Sequence, residues 1–331
     1  MNNITYSQPT HHLISLIPVS STPQHHVPPS RRQTRPHHGR VSRFALSTLT
    51  IPIPSPTNTR LPGIGAAIAA NLASKGANLA LGYTSPSSAS AAKVLATTLS
   101  SQHTIRAVAI SADLSSPAGP STLITSTITH FFPTSESEAN TPRIDIIINN
   151  AGIARNAFLP SVTIPDFEET YKVNVLAPLL LVQAAQRYLP TDRTGRIVNI
   201  SSVSSSTGFI TQSVYGGTKA ALEAMTRTWA RELTENATVN AVNPGPVEGP
   251  MYAANSPEFL AGIKGWIMHT PGMAAREGVD PPEVVADAKE SGGRPAHTAE
   301  VAGIVGMLCT PDAQWCTGQV VCANGGMVML H

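Results

Sequence analysis

The sequence predicts an α/β fold, a doubly wound parallel sheet with helices on both faces, and three observations predict it. From about residue 61 onward, short apolar runs alternate with helical segments, a pattern that demands parallel strands joined by right-handed crossovers. The runs are brief and bounded by turn residues, as in Ile144 to Asn149 (Ile-Asp-Ile-Ile-Ile-Asn). Hydrophobic residues make up 41% of the 331 residues and charged residues 13%, which suits a globular core and excludes a charged, disordered interaction protein.

Taken in order, residues 1 to about 60 stand apart. They are rich in Pro, Ser, Thr and His, with doublets at His11-His12, His25-His26 and His37-His38, arginines at 31, 32, 35, 40 and 43, and no carboxylate. Such a segment buries too little apolar surface to offset its ordering entropy, so a disordered leader is expected. Its acid-free, Arg- and Ser-rich composition also matches an organelle transit peptide, although the prolines oppose an amphipathic helix. A cytoplasmic protein is the expectation, with a mitochondrial address as the alternative. Without an ordered scaffold the His doublets make no designed metal site.

Residues 61–331 form the expected single domain. Ala66 to Lys75 is Ala-rich, with Ile68 and Leu72 at helical spacing, and Gly76 stands where a helix terminus favours a left-handed residue. Asn78 to Tyr83 reads as a buried strand, Ala91 to Leu99 as helix, Arg106 to Ser111 as strand, and Ile144 to Asn149 as a further strand. Helix follows over Asp166 to Leu189, then strand at Arg196 to Ile200, helix at Ser213 to Leu233 and strand at Thr238 to Val242. No fixed-period repeat points to a solenoid or propeller.

A net charge of +2, with no basic block interleaved with aromatics, gives no reason to expect a nucleic-acid partner. No run approaches the roughly 18 apolar residues of a membrane span. Cys309, Cys316 and Cys322 lack metal-ligand spacing and read as small reduced thiols. The expected partner is a small molecule, with no metal.

The chemistry gathers behind one strand. Ser201-Ser202 directly follows Ile197-Val198-Asn199-Ile200, at a strand C-terminal edge where doubly wound sheets bind ligands. Tyr215 comes thirteen residues after Ser202 and Lys219 four after that, on one helical face. A neighbouring ammonium favours the phenolate and is expected to lower the proton affinity of Tyr215. Ser202 can then hydrogen-bond a substrate oxygen as negative charge develops on it.

Around this set lie Gly63-Ile64-Gly65, Asp113-Leu114, Asn150-Ala151-Gly152, Asn174 and Asn243-Pro244-Gly245-Pro246-Val247. In order and approximate spacing these resemble the short-chain dehydrogenase/reductase family over about residues 61 to 331, and within it the fungal polyketide-ketone and 3-oxoacyl reductases. The resemblance implies a Rossmann-type fold and hydride transfer between NADP(H) and a ketone or secondary alcohol. By the same resemblance Tyr215 is the acid/base, Ser202 polarises the carbonyl, and Asn174 holds a water in a relay with Lys219. It also implies that Asp113 and Leu114 border the adenine, that Gly63 to Gly65, Asn150 to Gly152, Pro244 and Gly245 line the cofactor with Tyr215 and Lys219, and that Val247 meets the nicotinamide amide. A homo-oligomer, tetramer or dimer, follows from the family habit of pairing long helices. Asn324-Gly325-Gly326 resembles the loop after the family's last strand.

The choice of nicotinamide rests on the end of the second strand. Where NAD sites carry a carboxylate for the ribose hydroxyls, this chain has Tyr83-Thr84-Ser85, and neutral groups tolerate a 2′-phosphate that a carboxylate would repel.

Three positions depart from the family pattern. Asn58-Thr59 stands where Thr-Gly is usual, Pro62 where a basic residue is frequent, and Gly249-Pro250 where a Thr is frequent. Ahead of them Ser47 to Pro54 includes two prolines, which would break a central strand. Either an alternative or erroneous exon has replaced the first strand, or Phe44 to Ile51 forms it with a longer loop over the pyrophosphate. The segment from Met251 to Gly293 would be a substrate lid, with Met251, Tyr252, Phe259, Trp266, Ile267 and Met268 as apolar surface. A second functional reading, a cofactor-sensing pseudoenzyme with a damaged phosphate loop, keeps the pocket and loses turnover.

Overall fold

The computed structural model describes residues 44–48, 63–133 and 141–329, all within one unit that spans Ser42–His331. Most of the expected leader, Asn58-Thr59 and Pro62 lie outside the described residues. Seven strands form the sheet: β1 (Phe44–Thr48), β2 (Asn78–Tyr83), β3 (Ala107–Ser111), β4 (Ile146–Asn149), β5 (Gly195–Ile200), β6 (Ala237–Pro244) and β7 (Val320–Ala323). Their order is β3-β2-β1-β4-β5-β6-β7, and every pairing is parallel.

β1 takes the centre, with Ala45 beside Leu79 on one side and Ile146 on the other. Its bounds are Phe44–Thr48; Pro52 and Pro54 lie outside the described residues. The strand expected within Phe44 to Ile51 is present as Phe44–Thr48, and the longer loop expected after it lies outside the described residues. Strand order reverses between β1 and β4, which opens the crevice at their C-terminal ends where such sheets hold ligands.

The helices are α1 (Gly63–Ser74), α2 (Pro86–His103), α3 (Gly119–Phe131), α4 (Ile164–Tyr171), α5 (Ala177–Ala185), α6 (Ser204–Thr207), α7 (Ser213–Glu232), α8 (Pro250–Ala253), α9 (Pro257–Met268), α10 (Pro282–Ser291) and α11 (Thr298–Leu308). Alternation along the strands decides which helices cover which face. Leu79, Leu81, Ile146, Ile148, Val198 and Ile200 pack with α1, α2 and α11. The intervening Ala80, Ile147 and Ile197 pack with α3, α5 and α7 on the other face. Fully burying each large aliphatic side chain contributes roughly 1.5–3 kcal/mol, so a strand slipped by one residue would exchange the two cores.

Local chemistry sets the helix limits. Gly76 follows α1 at φ 83°, the left-handed region that glycine adopts without penalty. The α2 helix is longer than its apolar stripe because the Ser85 side chain accepts from the Ser88 amide and Pro86 opens the first turn. The helix expected over Asp166 to Leu189 is composite: α4, a π-helical turn at Lys172–Leu176, α5 and a 3-10 turn at Gln186–Tyr188.

Candidate active site

The site is built where β5 ends and α7 begins. Lys219 is 3% exposed, and its Nζ donates to the Ile200 carbonyl at 2.7 Å and lies 5.6 Å from the centre of the Tyr215 ring. Burial pulls the Lys219 ammonium down to about 8, against the opposing charge of Glu223. The Ser202 side chain, which donates to Ser204 Oγ at 3.0 Å, favours the phenolate of Tyr215. The proton affinity of Tyr215 is raised, because burial of the phenol outweighs the influence of Ser202, and this corrects the expected lowering by Lys219. Desolvation penalises the phenolate more than the neighbouring Ser202 hydroxyl compensates.

A buried polar unit fixes the loop that carries Ser202. The carboxylate of Glu223 accepts from Ser201 Oγ at 2.6 Å, Ser205 Oγ at 2.8 Å and Asn243 Nδ2 at 3.2 Å. Asn243 Nδ2 also donates to the Ser202 carbonyl at 3.0 Å. Glu223 was not singled out from the sequence, yet it lies four residues beyond Lys219, on the face already marked by Tyr215.

Asn174 lies inside the π-helical turn, 1% exposed, a widened winding that recurs at functional sites. Its amide spans two elements: Nδ2 donates to the Ile153 carbonyl and to Thr218 Oγ1, and Oδ1 accepts from the Ile153 amide. A Cβ on Gly152 would stand 3.4 Å from both Asn174 Oδ1 and Lys219 Nζ. The two groups therefore border one small space.

Tyr215, Lys219 and Gly152 open onto a cleft of about 190 Å³, whereas Ser202 and Asn174 are not among the residues that line it. Among the expected residues, Gly63, Ile64, Gly65, Asn150, Gly152, Tyr215, Lys219, Pro244, Gly245 and Val247 line it. The others sit elsewhere. Ala151 and Leu114 border a separate narrow recess with Asn149 and Ala177. Asp113 accepts from the Ser115 amide and hydroxyl, Thr84 donates to the Ala112 carbonyl, and Tyr83 is buried at the end of β2.

The expected lid divides. Met251, Tyr252 and Phe259 face the cleft, whereas Ile267 is buried core and Met268 is 61% exposed. Trp266 meets Phe209 edge-on at 5.7 Å. Both ends of this segment are fastened: Val247 bridges Ala296, and Glu248 pairs with His297 at 3.0 Å. Sequence reasoning also passed over Asn156, Phe209, Gln212 and Asn255, all of which line the cleft.

Among the described residues, no group of three His, Cys, Asp or Glu side chains could hold a metal, and no helix is long and apolar enough to cross a membrane. The three cysteines are free thiols.

Fold, switch-point cleft and the Ser-Tyr-Lys set define a short-chain dehydrogenase, and the family model of that name matches residues 61–259; the chain belongs to this family of oxidoreductases. Over 281 residues, 80% of this chain and 93% of the other, it is 53% identical to the L-xylulose reductase of Aspergillus niger. It is 44% identical over 284 residues to the L-xylo-3-hexulose reductase of Hypocrea jecorina, covering 81% of this chain and 93% of that one. Among solved structures, a blue fluorescent protein from a metagenomic library in complex with NADPH superposes with TM-score 0.67 at 30% identity, covering 87% of this chain and 98% of that chain.

Proposed function

We propose that the protein is an NADP(H)-dependent ketone reductase whose substrate is a small polyhydroxylated ketone. The observation that carries this reading is the placing of Tyr215 and Lys219 at one cleft, with Ser202 beside Tyr215, and the first turn of α1 in the cleft wall. That turn holds no acidic residue, so its amides can face an anionic group. With Gly152 leaving room beside Asn174 and Lys219, the lining fits a dinucleotide. The neutral Tyr83-Thr84-Ser85 after β2 supports the 2′-phosphorylated form, as does likeness to the NADPH complex. The sugar-ketone reductases among the relatives support the substrate class.

The bound nicotinamide would supply the hydride to the carbonyl carbon. Ser202 Oγ and Tyr215 Oη then hold the carbonyl oxygen between two donors, and Tyr215 passes its proton to that oxygen. Lys219 stabilises the phenolate left behind, which relieves the burial that otherwise keeps Tyr215 protonated. Asn174 Oδ1 and Lys219 Nζ flank the space through which a water can return the proton, which supports the relay reading. The exposed Phe158, Leu159, Ile164, Phe167, Leu176 and Leu179, on or beside α4 and α5, support assembly into an oligomer.

The test is oxidation of NADPH, followed by its absorbance, on addition of ketoses. Tyr215→Phe should abolish turnover and retain NADPH binding; turnover surviving in that variant would remove Tyr215 from its role.

A further inference from the structure

We propose that Gln212 is the group that recognises a hydroxyl on the substrate, one or two carbons from the carbonyl, so that the site selects hydroxyketones over plain ketones. The inference rests on the ketone-reductase reading above and assigns its selectivity to one side chain.

Gln212 is 8% exposed and lines the cleft, yet its side-chain oxygen is buried without a hydrogen-bond partner. A buried amide oxygen left unpaired is costly, and in a folded protein such a group points to a partner that arrives with a ligand. Its backbone is held at both ends. The Gln212 amide donates to the Phe209 carbonyl at 3.2 Å, and the Gly216 amide donates to the Gln212 carbonyl at 2.8 Å. Thr211 beside it has φ 73°, a left-handed conformation unusual for a β-branched residue and concentrated at functional sites. The Thr211 carbonyl accepts from the Ala157 amide, which ties this strained corner to the loop after β4.

Position relative to the chemistry follows from the helix. Gln212 caps α7 three residues before Tyr215, so the two side chains rise from one turn. With the carbonyl oxygen taken by Tyr215 and Ser202, the amide of Gln212 meets the neighbouring carbons of the substrate. A hydroxyl both donates and accepts, so it satisfies this amide whichever way the oxygen and nitrogen are assigned.

The rest of the rim decides the charge class. Asn156 Nδ2 donates to Asn255 Oδ1 at 3.3 Å, and Asn255 Nδ2 donates to the Tyr252 carbonyl at 2.9 Å. Lys219 and Glu248 are the charged residues of the lining, and Lys219 is committed to Ile200 and Tyr215. Among the described residues of the lining there is no arginine fork for a carboxylate or phosphate. Gln212, Asn156 and Asn255, three of the four carboxamides lining the cleft, fit a neutral polyol chain.

The experiment compares kcat/KM with NADPH for hydroxyacetone against acetone and for acetoin against butanone, in the wild type and in Gln212→Leu. The wild type should prefer the hydroxylated member of each pair by about tenfold or more, and Gln212→Leu should reduce that preference about tenfold. A folded Gln212→Leu protein with the preference intact would overturn the assignment. So would a wild type that reduces both members of each pair equally well, a comparison that stands even if the variant fails to fold. A wild type inert towards all four ketones and towards ketoses would instead sink the reductase reading and the inference with it.

Discussion

The hydroxyl of Ser201 donates to the carboxylate of Glu223 at 2.6 Å, and both residues are buried. Through this bond the helix that bears Tyr215 and Lys219 is tied to the loop that bears Ser202. The three groups proposed to react are therefore held by a carboxylate that need not touch substrate. Glu223 also supplies the one charge that keeps Lys219 protonated against burial.

Glu223→Gln keeps an oxygen for Ser201, Ser205 and Asn243 while removing the charge. Lys219 then loses the interaction that raises it, so its proton should leave below the present value of about 8. The alkaline limb of kcat/KM should move to lower pH, with Glu223→Asp remaining near wild type. A limb that stays in place while kcat falls would mean that Glu223 acts only as a scaffold.

Lys219 carries a stability cost that depends on pH. Its folded value of about 8 lies below the ordinary 10.5, so between those values the unfolded chain binds more protons and stability rises with pH. Below pH 8 the cost is present in full. Lys219→Met should raise stability at neutral pH by about 1–2 kcal/mol after loss of the bond to Ile200, and this gain should shrink towards pH 10. Thermal denaturation from pH 7 to pH 10 reads both effects; a variant less stable than wild type throughout would contradict them.

Gly152→Ala separates relay from packing. The new Cβ would sit at ordinary contact distance, 3.4 Å from Asn174 Oδ1 and Lys219 Nζ, so stability should change by no more than about 0.5 kcal/mol. Filling the space between them should lower kcat by about tenfold to a hundredfold. Unchanged turnover in the Ala variant would show that no proton passes there.

Arg294 fastens the return of residues 251–293, the segment proposed as a substrate lid. It makes two bonds to Glu300, at 2.8 and 2.9 Å, and faces Asp280 at 3.4 Å, and these carboxylates with Glu248 keep its guanidinium charged. Arg294→Met should raise KM more than it lowers kcat and expose residues 251–293 to limited proteolysis. An unaltered cleavage pattern with unaltered KM would show the anchor to be redundant.

Much of the sheet was legible because its strands are short apolar runs between turns. Asn78 to Tyr83 emerges with the limits read from the sequence, and β4 and β5 within two residues of theirs. The α3 helix escaped because Gly-Pro-Ser-Thr-Leu-Ile-Thr-Ser-Thr is rich in β-branched and small polar residues of low helix propensity. Burial of Leu123, Ile124 and Phe131 against the sheet overrides that preference. Tyr215, Lys219 and Ser202 were legible as a spacing, but the raised proton affinity of Tyr215 was not, since burial is a property of the packed core. Glu223 and Gln212 share the α7 face with Tyr215, and counting fours and threes along that helix is the signal that finds them. What sequence withholds is which polar groups end up without a partner, as Gln212 does.

The π-helical turn at Lys172–Leu176 makes chain length itself a constraint. Its wider winding holds one residue more than an α-helical path between α4 and α5 would need. Deleting one of the five would restore ordinary winding with α5 close to its place, but it would remove the widened turn from which Asn174 reaches the Ile153 carbonyl and Thr218. Substitution can be tolerated here where deletion cannot, so related chains that keep this cleft should vary in composition along this stretch before they vary in its number of residues.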